Sequence, residues 1–266
     1  MEIPRKQFLE TLLMFKDQDV IKVLTGIRRC GKSTLLRQYI EILKRSGISD
    51  DRIVYINMES LSNARFSDGM VLYREITEKN NREKIYIFLD EVQYIGGWER
   101  TVNSFRTDLD CDIYVTGSNA YLLSTDISTR LTGRSIPIAV LPFSFSEYCV
   151  LNRPGSVADM MRIFGRYVTL GGFPFIRPEM PEEAILQRLD EIKSDIILKD
   201  ICMRREKTDS VKIRRAVDYM FSEIGNAVSP EKMASALNIS QSTAGDYLRL
   251  ITESLLFIKI ERYDLR

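Results

Sequence analysis

The sequence contains the run Gly26-Ile27-Arg28-Arg29-Cys30-Gly31-Lys32-Ser33, which fills every fixed position of the pattern G-x-x-x-x-G-K-S/T. The two glycines allow the backbone to curl so that successive N–H groups point at phosphate oxygens, and a helix starting at Lys32 adds its positive N-terminal end. In such a loop the lysine reaches the β- and γ-phosphates and the hydroxyl binds Mg²⁺. We therefore interpret this run as a phosphate-binding P-loop.

The residues on either side have the patterns of a strand and a helix. Residues 20–25 are a short, mostly apolar run typical of a strand. After the loop, apolar side chains recur at helical spacing, at Leu35, Leu36, Tyr39, Ile40 and Leu43. Gly47 stands where a left-handed glycine ends a helix. The order strand, glycine loop and helix is the one that a P-loop requires.

Composition excludes several kinds of chemistry. The chain has 266 residues, 44% of them hydrophobic, and a formal net charge of +1, so any nucleic-acid binding must come from local patches. It has no histidine, which excludes Ser-His and Cys-His catalysis and histidine-bound metals. The four cysteines are scattered, and we expect Cys30 to be unreactive despite its place in the loop. No apolar run is long enough for a membrane span, and we expect a cytoplasmic protein without membrane contact.

Further strand and helix patterns alternate through the first half of the chain. Strands are predicted over 52–57, 85–89, 111–116 and 135–140, with helices near 69–79 and 98–109 between them. Alternation of this kind predicts an α/β fold with a five-stranded parallel sheet that is flanked by helices on both faces. Pro137 lacks an N–H donor, which places the last strand at an edge of the sheet.

Two carboxylates follow the apolar run 85–89. Asp90 and Glu91 stand at the carboxyl end of a strand that is predicted to be buried on both faces, the edge where ligands bind such sheets. We predict that Asp90 joins Ser33 in binding Mg²⁺ and that Glu91 polarises the attacking water. The alternative is a solvated strand end that starts a turn.

Polar residues at the end of the strand 111–116 are candidates for contact with the γ-phosphate: Thr116, Ser118 and Asn119. The alternative is that Thr-Gly-Ser-Asn forms an ordinary turn. Arg28 and Arg29 either lie over the nucleotide or are solvated. The complete set predicted to contact nucleotide is Gly26, Ile27, Arg28, Arg29, Cys30, Gly31, Lys32, Ser33, Thr34, Thr116 and Ser118.

Two arginines precede the fifth strand. Arg130 and Arg134 flank Leu131-Thr132-Gly133, and each is a candidate arginine finger, in cis or in trans, with a structural ion pair as the alternative. The predicted catalytic residues are therefore Lys32, Glu91, Arg130 and Arg134.

Beyond about residue 142 the patterns indicate helices, over 144–151, 156–170, 181–204 and 209–224. Ser229-Pro230-Glu231 and Ser240 then start two short helices, with a strand-like run at 255–260, which together resemble a winged helix. The residues predicted to face inward in those two helices are Met233, Ala236, Leu237, Tyr247, Leu248 and Ile251. The second helix has few basic residues, so we expect any DNA binding to be weak and to use the better basic patch: Arg204, Arg205, Lys207, Lys212, Arg214 and Arg215.

Taken together, the P-loop, Asp90-Glu91, Thr-Gly-Ser-Asn and Leu-Thr-Gly-Arg resemble a prokaryotic AAA-type ATPase family whose ATPase module precedes a C-terminal domain of uncharacterised function. The motif Gly171-Gly172-Phe173-Pro174 follows them in the same order. The segments most similar to that family are residues 24–33, which contain the P-loop, and Leu141-Pro142-Phe143-Ser144-Phe145-Ser146-Glu147. The resemblance implies the strand order 5-1-4-3-2, a helical lid, a winged helix and ATP as the nucleotide. Family members continue well beyond this length, so we expect a truncated member.

We therefore expect a P-loop ATPase core at 1–142, a helical lid at 143–224 and a winged-helix-like segment at 225–266. The predicted function is Mg²⁺-dependent ATP binding and hydrolysis that drives a switch or motor, with a protein or nucleic-acid partner and assembly into a homo-oligomer both left open. The alternatives are a nucleotide-gated DNA-binding regulator with little turnover and a P-loop kinase for a small molecule.

Overall fold

The computed structural model describes residues 3–79, 83–117, 131, 133–202 and 209–261. The chain divides into two compact units, a first unit of Met1–Ile185 and a second unit of Leu186–Arg266. The three-part division at 142 and 224 stays a prediction. Within the described ranges, no helix combines the length and the apolar character that crossing a membrane requires.

The first unit is built on a parallel sheet. Its strands are β1 (Ile21–Thr25), β2 (Ile53–Asn57), β3 (Ile85–Asp90), β4 (Cys111–Thr116) and β5 (Ser135–Ala139). They lie in the order β2-β3-β4-β1-β5, which confirms the predicted order read from the opposite edge. Pro137 lies on the edge strand β5, as predicted. β1 and β3 are buried along their whole length, as expected of central strands covered on both faces.

Helices cover both faces of this sheet. They are α1 (Lys6–Met14), α2 (Lys32–Arg45), α3 (Gly69–Lys79) and α4 (Trp98–Asp108). Successive side chains of a strand point to opposite faces, so Ile87 and Leu89 pack with α3 and α4 in one core, whereas Tyr86 and Phe88 pack with α1 and α2 in the other. The alternation of strands and helices in the sequence predicts a sheet covered by helices on both faces, and the structure has this three-layer fold.

Two further helices, α5 (Phe145–Asn152) and α6 (Val157–Leu170), follow in the first unit. Ser144 and Glu147 form a capping box that fixes the start of α5. After α6 the chain returns to the same place, because Phe143 N–H donates to the carbonyl of Gly172 at 2.7 Å. A Cβ on Gly172 would lie 2.2 Å from the Phe143 carbonyl oxygen, so this close approach requires glycine.

The second unit is helical in its described residues. Helix α7 (Glu182–Asp195), whose first turn belongs to the first unit, continues into a π-helical turn (Ile196–Ile201). It is followed by α8 (Ser210–Ser222), α9 (Pro230–Leu237) and α10 (Gln241–Glu253). The π-helical turn was not predicted, since the sequence there reads as continuous helix. Ile197, Ile213, Val217, Met233 and Ile251 are among the residues of its core.

The helix–turn–helix of the second unit forms as predicted, but its details differ. The side chains of Ser229 and Ser240 cap α9 and α10, and Asn238 makes the turn at φ 53°. Ala236 was predicted to face inward and is exposed, because α9 turns Ala234 and Leu237 towards the core beside Met233 instead.

The strand predicted over 255–260 is wrong for the described residues. Leu255 adopts φ 54° directly after α10, which turns the chain, and Leu256 and Phe257 pack against the helical core. A strand requires a pairing partner, and none of the described residues of the second unit supplies one. The winged-helix assignment therefore stays a prediction.

Candidate functional site

The P-loop connects the end of β1 to the start of α2, and its shape depends on glycine. Gly31 is the N-cap of α2 and has φ 102°, a conformation that residues with a Cβ rarely adopt. A Cβ on Gly26 would lie 2.3 Å from the carbonyl oxygen of Val140 and 2.7 Å from Cys30 Sγ. At Gly26 the loop backbone therefore lies against Val140, the residue that follows β5. At Gly31 it adopts a left-handed conformation.

Lys32 lies where the motif predicts, in the first turn of α2. Its side chain is buried, and Nζ donates to the carbonyl oxygens of Gly26 at 2.9 Å and Ile27 at 3.4 Å. The ammonium group is thus held against the loop that it is predicted to serve. Ser33 and Thr34 follow it in the same turn and are half-buried.

The other loop residues differ in exposure. Ile27 and Arg28 are half-buried, and Arg29 is exposed with φ 62°. Cys30 is fully buried, and burial raises the pKa of its thiol, so the sulfur stays protonated at neutral pH. This supports the prediction that Cys30 is unreactive.

Asp90 ends β3 as a fully buried carboxylate that accepts two hydroxyl hydrogen bonds. Thr116 Oγ1 donates to one carboxylate oxygen, and Tyr55 on β2 donates to the other at 2.9 Å. Burial and the neighbouring Asp90 charge raise the pKa of Tyr55 to about 12, so Tyr55 remains a donor at neutral pH. Oxygen ligands of this kind suit Mg²⁺. The chemistry of Asp90 and of the Ser33 hydroxyl is thus compatible with the predicted metal, and their role in binding it stays a prediction.

Glu91 has an unusual backbone. It adopts φ 62° and ψ 56°, a left-handed conformation that non-glycine residues adopt mainly at turns and functional sites. Its N–H donates to Thr116 Oγ1 at 3.0 Å, and its carboxylate accepts a hydrogen bond from Gln93 Nε2. Burial raises the pKa of Glu91, partly offset by the positive charge of Lys32. A carboxylate with a raised pKa is better matched to proton transfer near neutral pH.

Thr116 is the link between the two carboxylates. It ends β4, which lies between β3 and β1, and its hydroxyl donates to Asp90 while accepting from the Glu91 N–H. The ends of three adjacent strands thus carry the P-loop, Thr116 and the carboxylate pair at one edge of the sheet. Since β1 and β4 pair Leu24 with Thr116, Thr116 lies level with the start of the P-loop.

Arg134 does not lie at this edge. Its carbonyl oxygen accepts from the N–H of Ile21, the first residue of β1, and its side chain is exposed. β1 runs about 16 Å at its usual rise per residue, so Arg134 is about that far from the P-loop of its own chain. The structure therefore argues against the predicted role in cis and leaves the role in trans as a prediction. Ser118, Asn119 and Arg130 lie outside the described residues.

Pro174, in the segment that follows α6, lies beside the P-loop. A Cβ on Gly31 would meet Pro174 Cγ at 3.6 Å, so the ring of Pro174 borders the loop at its left-handed glycine. Neither the resemblance nor the spacing of the motifs had predicted this contact.

Sequence reasoning missed three residues at the site: Tyr55, Gln93 and Pro174. Tyr55 points at Asp90 because of the register in which β2 pairs with β3. The resemblance implied that these two strands are neighbours, but neither it nor the strand pattern gave the register. Gln93 follows the Asp-Glu pair by two residues, and a polar residue at that position was the available signal. Pro174 comes from a distant part of the chain, and the family-like segment Gly171-Gly172-Phe173-Pro174 did not indicate that it lies beside the P-loop.

The comparisons with known proteins agree with this geometry. A family model described as an AAA domain matches residues 18–149, and a second model, for a domain of unknown function, matches residues 161–265. An uncharacterized protein of Haemophilus influenzae is 35% identical over 273 residues, covering 99% of this chain and 68% of that protein. The chain belongs to the AAA domain family. This confirms the resemblance to AAA-type P-loop ATPases with a C-terminal domain of uncharacterised function.

A second relative and a solved structure are also similar to this chain. An uncharacterized protein of Methanocaldococcus jannaschii is 27% identical over 259 residues, covering 91% of this chain and 57% of that protein. A Walker-type ATPase of Pyrococcus abyssi has a similar structure, with a TM-score of 0.58 at 18% identity, covering 95% of this chain and 90% of that one. The AAA chain thus spans between about half and two thirds of the length of these curated relatives. At this identity the structural likeness shows the fold.

Proposed function

We propose that the chain binds ATP with Mg²⁺ at the P-loop edge of the sheet and hydrolyses it. The observation that carries the proposal is the bridging hydroxyl of Thr116, which holds the buried Asp90 and the left-handed Glu91 together beside the strand that carries the P-loop. Such a pairing of two differently placed carboxylates with a P-loop supports hydrolysis over simple binding.

Each residue has a role that its position supports. The loop N–H groups and Lys32 hold the phosphates of ATP, and the ammonium neutralises the charge that builds up on the β- and γ-phosphates. Ser33 and Asp90 would hold Mg²⁺, which supplies charge stabilisation at the transferring phosphoryl group. Glu91 orients a water molecule and takes its proton, a role that a raised pKa favours.

Hydrolysis is proposed to drive a conformational change that acts on a partner, either a protein or a nucleic acid. Arg134 is exposed at the opposite edge of the sheet and is therefore a candidate for completing the site of a neighbouring copy in a homo-oligomer. If it does so, phosphate release per molecule rises with protein concentration, and an Arg134→Ala chain mixed with the parent lowers the activity of the mixture by more than its share.

The structure gives little support for sequence-specific DNA binding by α10. Arg249 pairs with Asp246 at 3.5 Å and with Glu253 at 3.2 Å, both on its own helix, so its charge is already neutralised. We propose that any duplex binding is weak and lacks sequence preference.

The test is release of inorganic phosphate from ATP in the presence of Mg²⁺ without an added acceptor. We expect steady turnover by the parent and loss of most nucleotide affinity in Lys32→Ala. Lys44→Ala is the matched control, since Lys44 lies in the last turn of the same helix and pairs with Asp50. Turnover that requires a small-molecule acceptor would instead support the kinase. Binding without turnover would support the regulator.

A further inference from the structure

Arg5 is a buried arginine in the segment that precedes α1. Only 4% of its side chain is exposed, and its charge is matched by Glu147 in α5, with Nε 2.8 Å from Oε1 and Nη2 3.3 Å from Oε2. The guanidinium also lies over the rings of Phe8 and Phe143, 4.6 and 5.2 Å from their centroids. A planar group held by a two-point ion pair and two aromatic rings has little freedom to move.

The remaining donors of Arg5 reach the backbone. Nη1 donates to the carbonyl oxygen of Cys30 at 3.3 Å, and Nη2 to that of Pro142 at 3.4 Å. The Cys30 carbonyl belongs to the peptide that joins Cys30 to Gly31, inside the P-loop. The arginine therefore holds one peptide of the phosphate-binding loop from outside.

The direction of that peptide matters for phosphate binding. In a trans peptide the C=O and N–H bonds point in opposite directions, so a donor that fixes the Cys30 carbonyl turns the Gly31 N–H to the other side. Gly31 has φ 102°, and glycine passes between positive and negative φ at little cost, so local sterics alone do not fix this peptide. The hydrogen bond from Arg5 supplies the missing constraint.

Glu147 fixes the arginine in turn. Its Oε2 also accepts from the backbone N–H of Ser144 at 2.8 Å, within the capping box of α5. The start of α5, the segment before α1 and the P-loop are thus joined through one guanidinium.

We propose that Arg5 is a positioning residue for phosphate binding, which presets the Cys30–Gly31 peptide so that the Gly31 N–H faces the phosphates of a nucleoside di- or triphosphate. This inference rests on the proposed nucleotide-binding function. It adds a residue remote in sequence from the P-loop motif, which acts through the loop backbone and not through contact with the nucleotide.

The test compares affinities for ADP and for adenosine in Arg5→Lys, measured by competition with a fluorescent ADP analogue. Lysine keeps the charge but lacks the planar fork that reaches Glu147 and the loop carbonyl together. We expect ADP binding to weaken about ten- to a hundredfold, the cost of misplacing one hydrogen bond to a charged group, while adenosine affinity changes by less than about twofold. Glu147→Gln keeps Arg5 but removes its ion pair, and we expect a smaller loss in the same direction.

Arg106→Lys is the matched control, because Arg106 also pairs with a carboxylate, through Nη1 to both oxygens of Asp19, two residues before β1. Its ratio of ADP to adenosine affinity should equal that of the parent. Unchanged ADP affinity in Arg5→Lys, or an equal loss for ADP and adenosine, overturns the inference. If Arg5→Lys fails to fold, Glu147→Gln provides the same test: a loss of ADP affinity without a loss of adenosine affinity supports the inference, and unchanged or equal affinities overturn it. Failure of the parent to bind ADP contradicts the proposed function itself.

Discussion

Replacing Lys22 with Met is expected to destabilise the first unit strongly, because it strips the partner from a buried charge. Lys22 and Asp112 form an ion pair across β1 and β4, and both side chains are fully buried. Asp112 also accepts from the Tyr114 hydroxyl and from the Asp17 N–H, each at 2.8 Å. Without the ammonium, two neutral donors remain for a carboxylate that water cannot reach.

The magnitude follows from the cost of leaving one buried charge uncompensated, about 3–5 kcal/mol. At an m-value of about 2 kcal/mol/M, such a loss lowers the urea midpoint by about 1.5–2.5 M. The double variant Lys22→Met with Asp112→Asn removes both charges and keeps an oxygen acceptor for the Tyr114 hydroxyl. Its stability should return to within about 1–2 kcal/mol of the parent, since a neutral replacement of a buried pair is often well tolerated.

Trp98 is a suitable reporter for this experiment. It is the only tryptophan of the chain and is fully buried in the first unit, so its fluorescence follows the unfolding of that unit. Lys44→Met is the control, because the pair of Lys44 with Asp50 is exposed and its loss should barely move the midpoint. A Lys22→Met midpoint no lower than that of this control, or additive losses in the double variant, would refute the reasoning.

Three further predictions concern the site and the second unit. Gln93→Leu removes a hydrogen bond that favours the charged form of Glu91, so the pKa of Glu91 rises further. When the solution is acidified, phosphate release should therefore be lost at a higher pH than in the parent. An unchanged or lower midpoint of the pH profile counts against this. Gly26→Ala forces the loop about 1 Å away from the Val140 carbonyl, so ATP turnover should fall about 100-fold while the circular dichroism spectrum stays unchanged. Near-parental turnover contradicts the loop geometry. Arg249→Ala should change duplex affinity by less than about twofold in anisotropy titrations across salt concentrations, because two carboxylates of its own helix already neutralise it; loss of submicromolar, sequence-selective binding would favour the DNA-binding regulator.

The sheet and the residues at the carboxyl ends of its strands could be predicted because the sequence patterns that indicate them are local. An apolar run that ends in Asp90-Glu91 predicts a buried strand with carboxylates at its carboxyl end, whatever the rest of the chain does. Glycines at 26 and 31 predict the loop for a similar reason, since the pattern of the loop is local. In the structure, a Cβ at position 26 would collide with the Val140 carbonyl, and Gly31 has φ 102°. Pro137 predicted an edge strand through its missing donor alone.

The features that escaped prediction depend on contacts between distant segments. Arg5 and Glu147 are separated by 142 positions, and nothing in either local sequence indicates that they pair. Tyr55 is a partner of Asp90 through the register in which β2 pairs with β3, which the predicted strand order does not specify. The run 255–260 has the composition of a strand but lacks a partner strand among the described residues, so tertiary context overrides its propensity.

The most direct measurement of the central claim compares Glu91→Gln with the parent in ATP binding and in phosphate release. Glu75→Gln is the control, a carboxylate of α3 that pairs with Arg65. We predict nucleotide affinity within about threefold of the parent and phosphate release slower by about 100- to 10,000-fold in Glu91→Gln, because a general base acts mainly in the transition state. Equal turnover in Glu91→Gln and the parent would contradict the assignment of Glu91 and with it the proposed mechanism of hydrolysis.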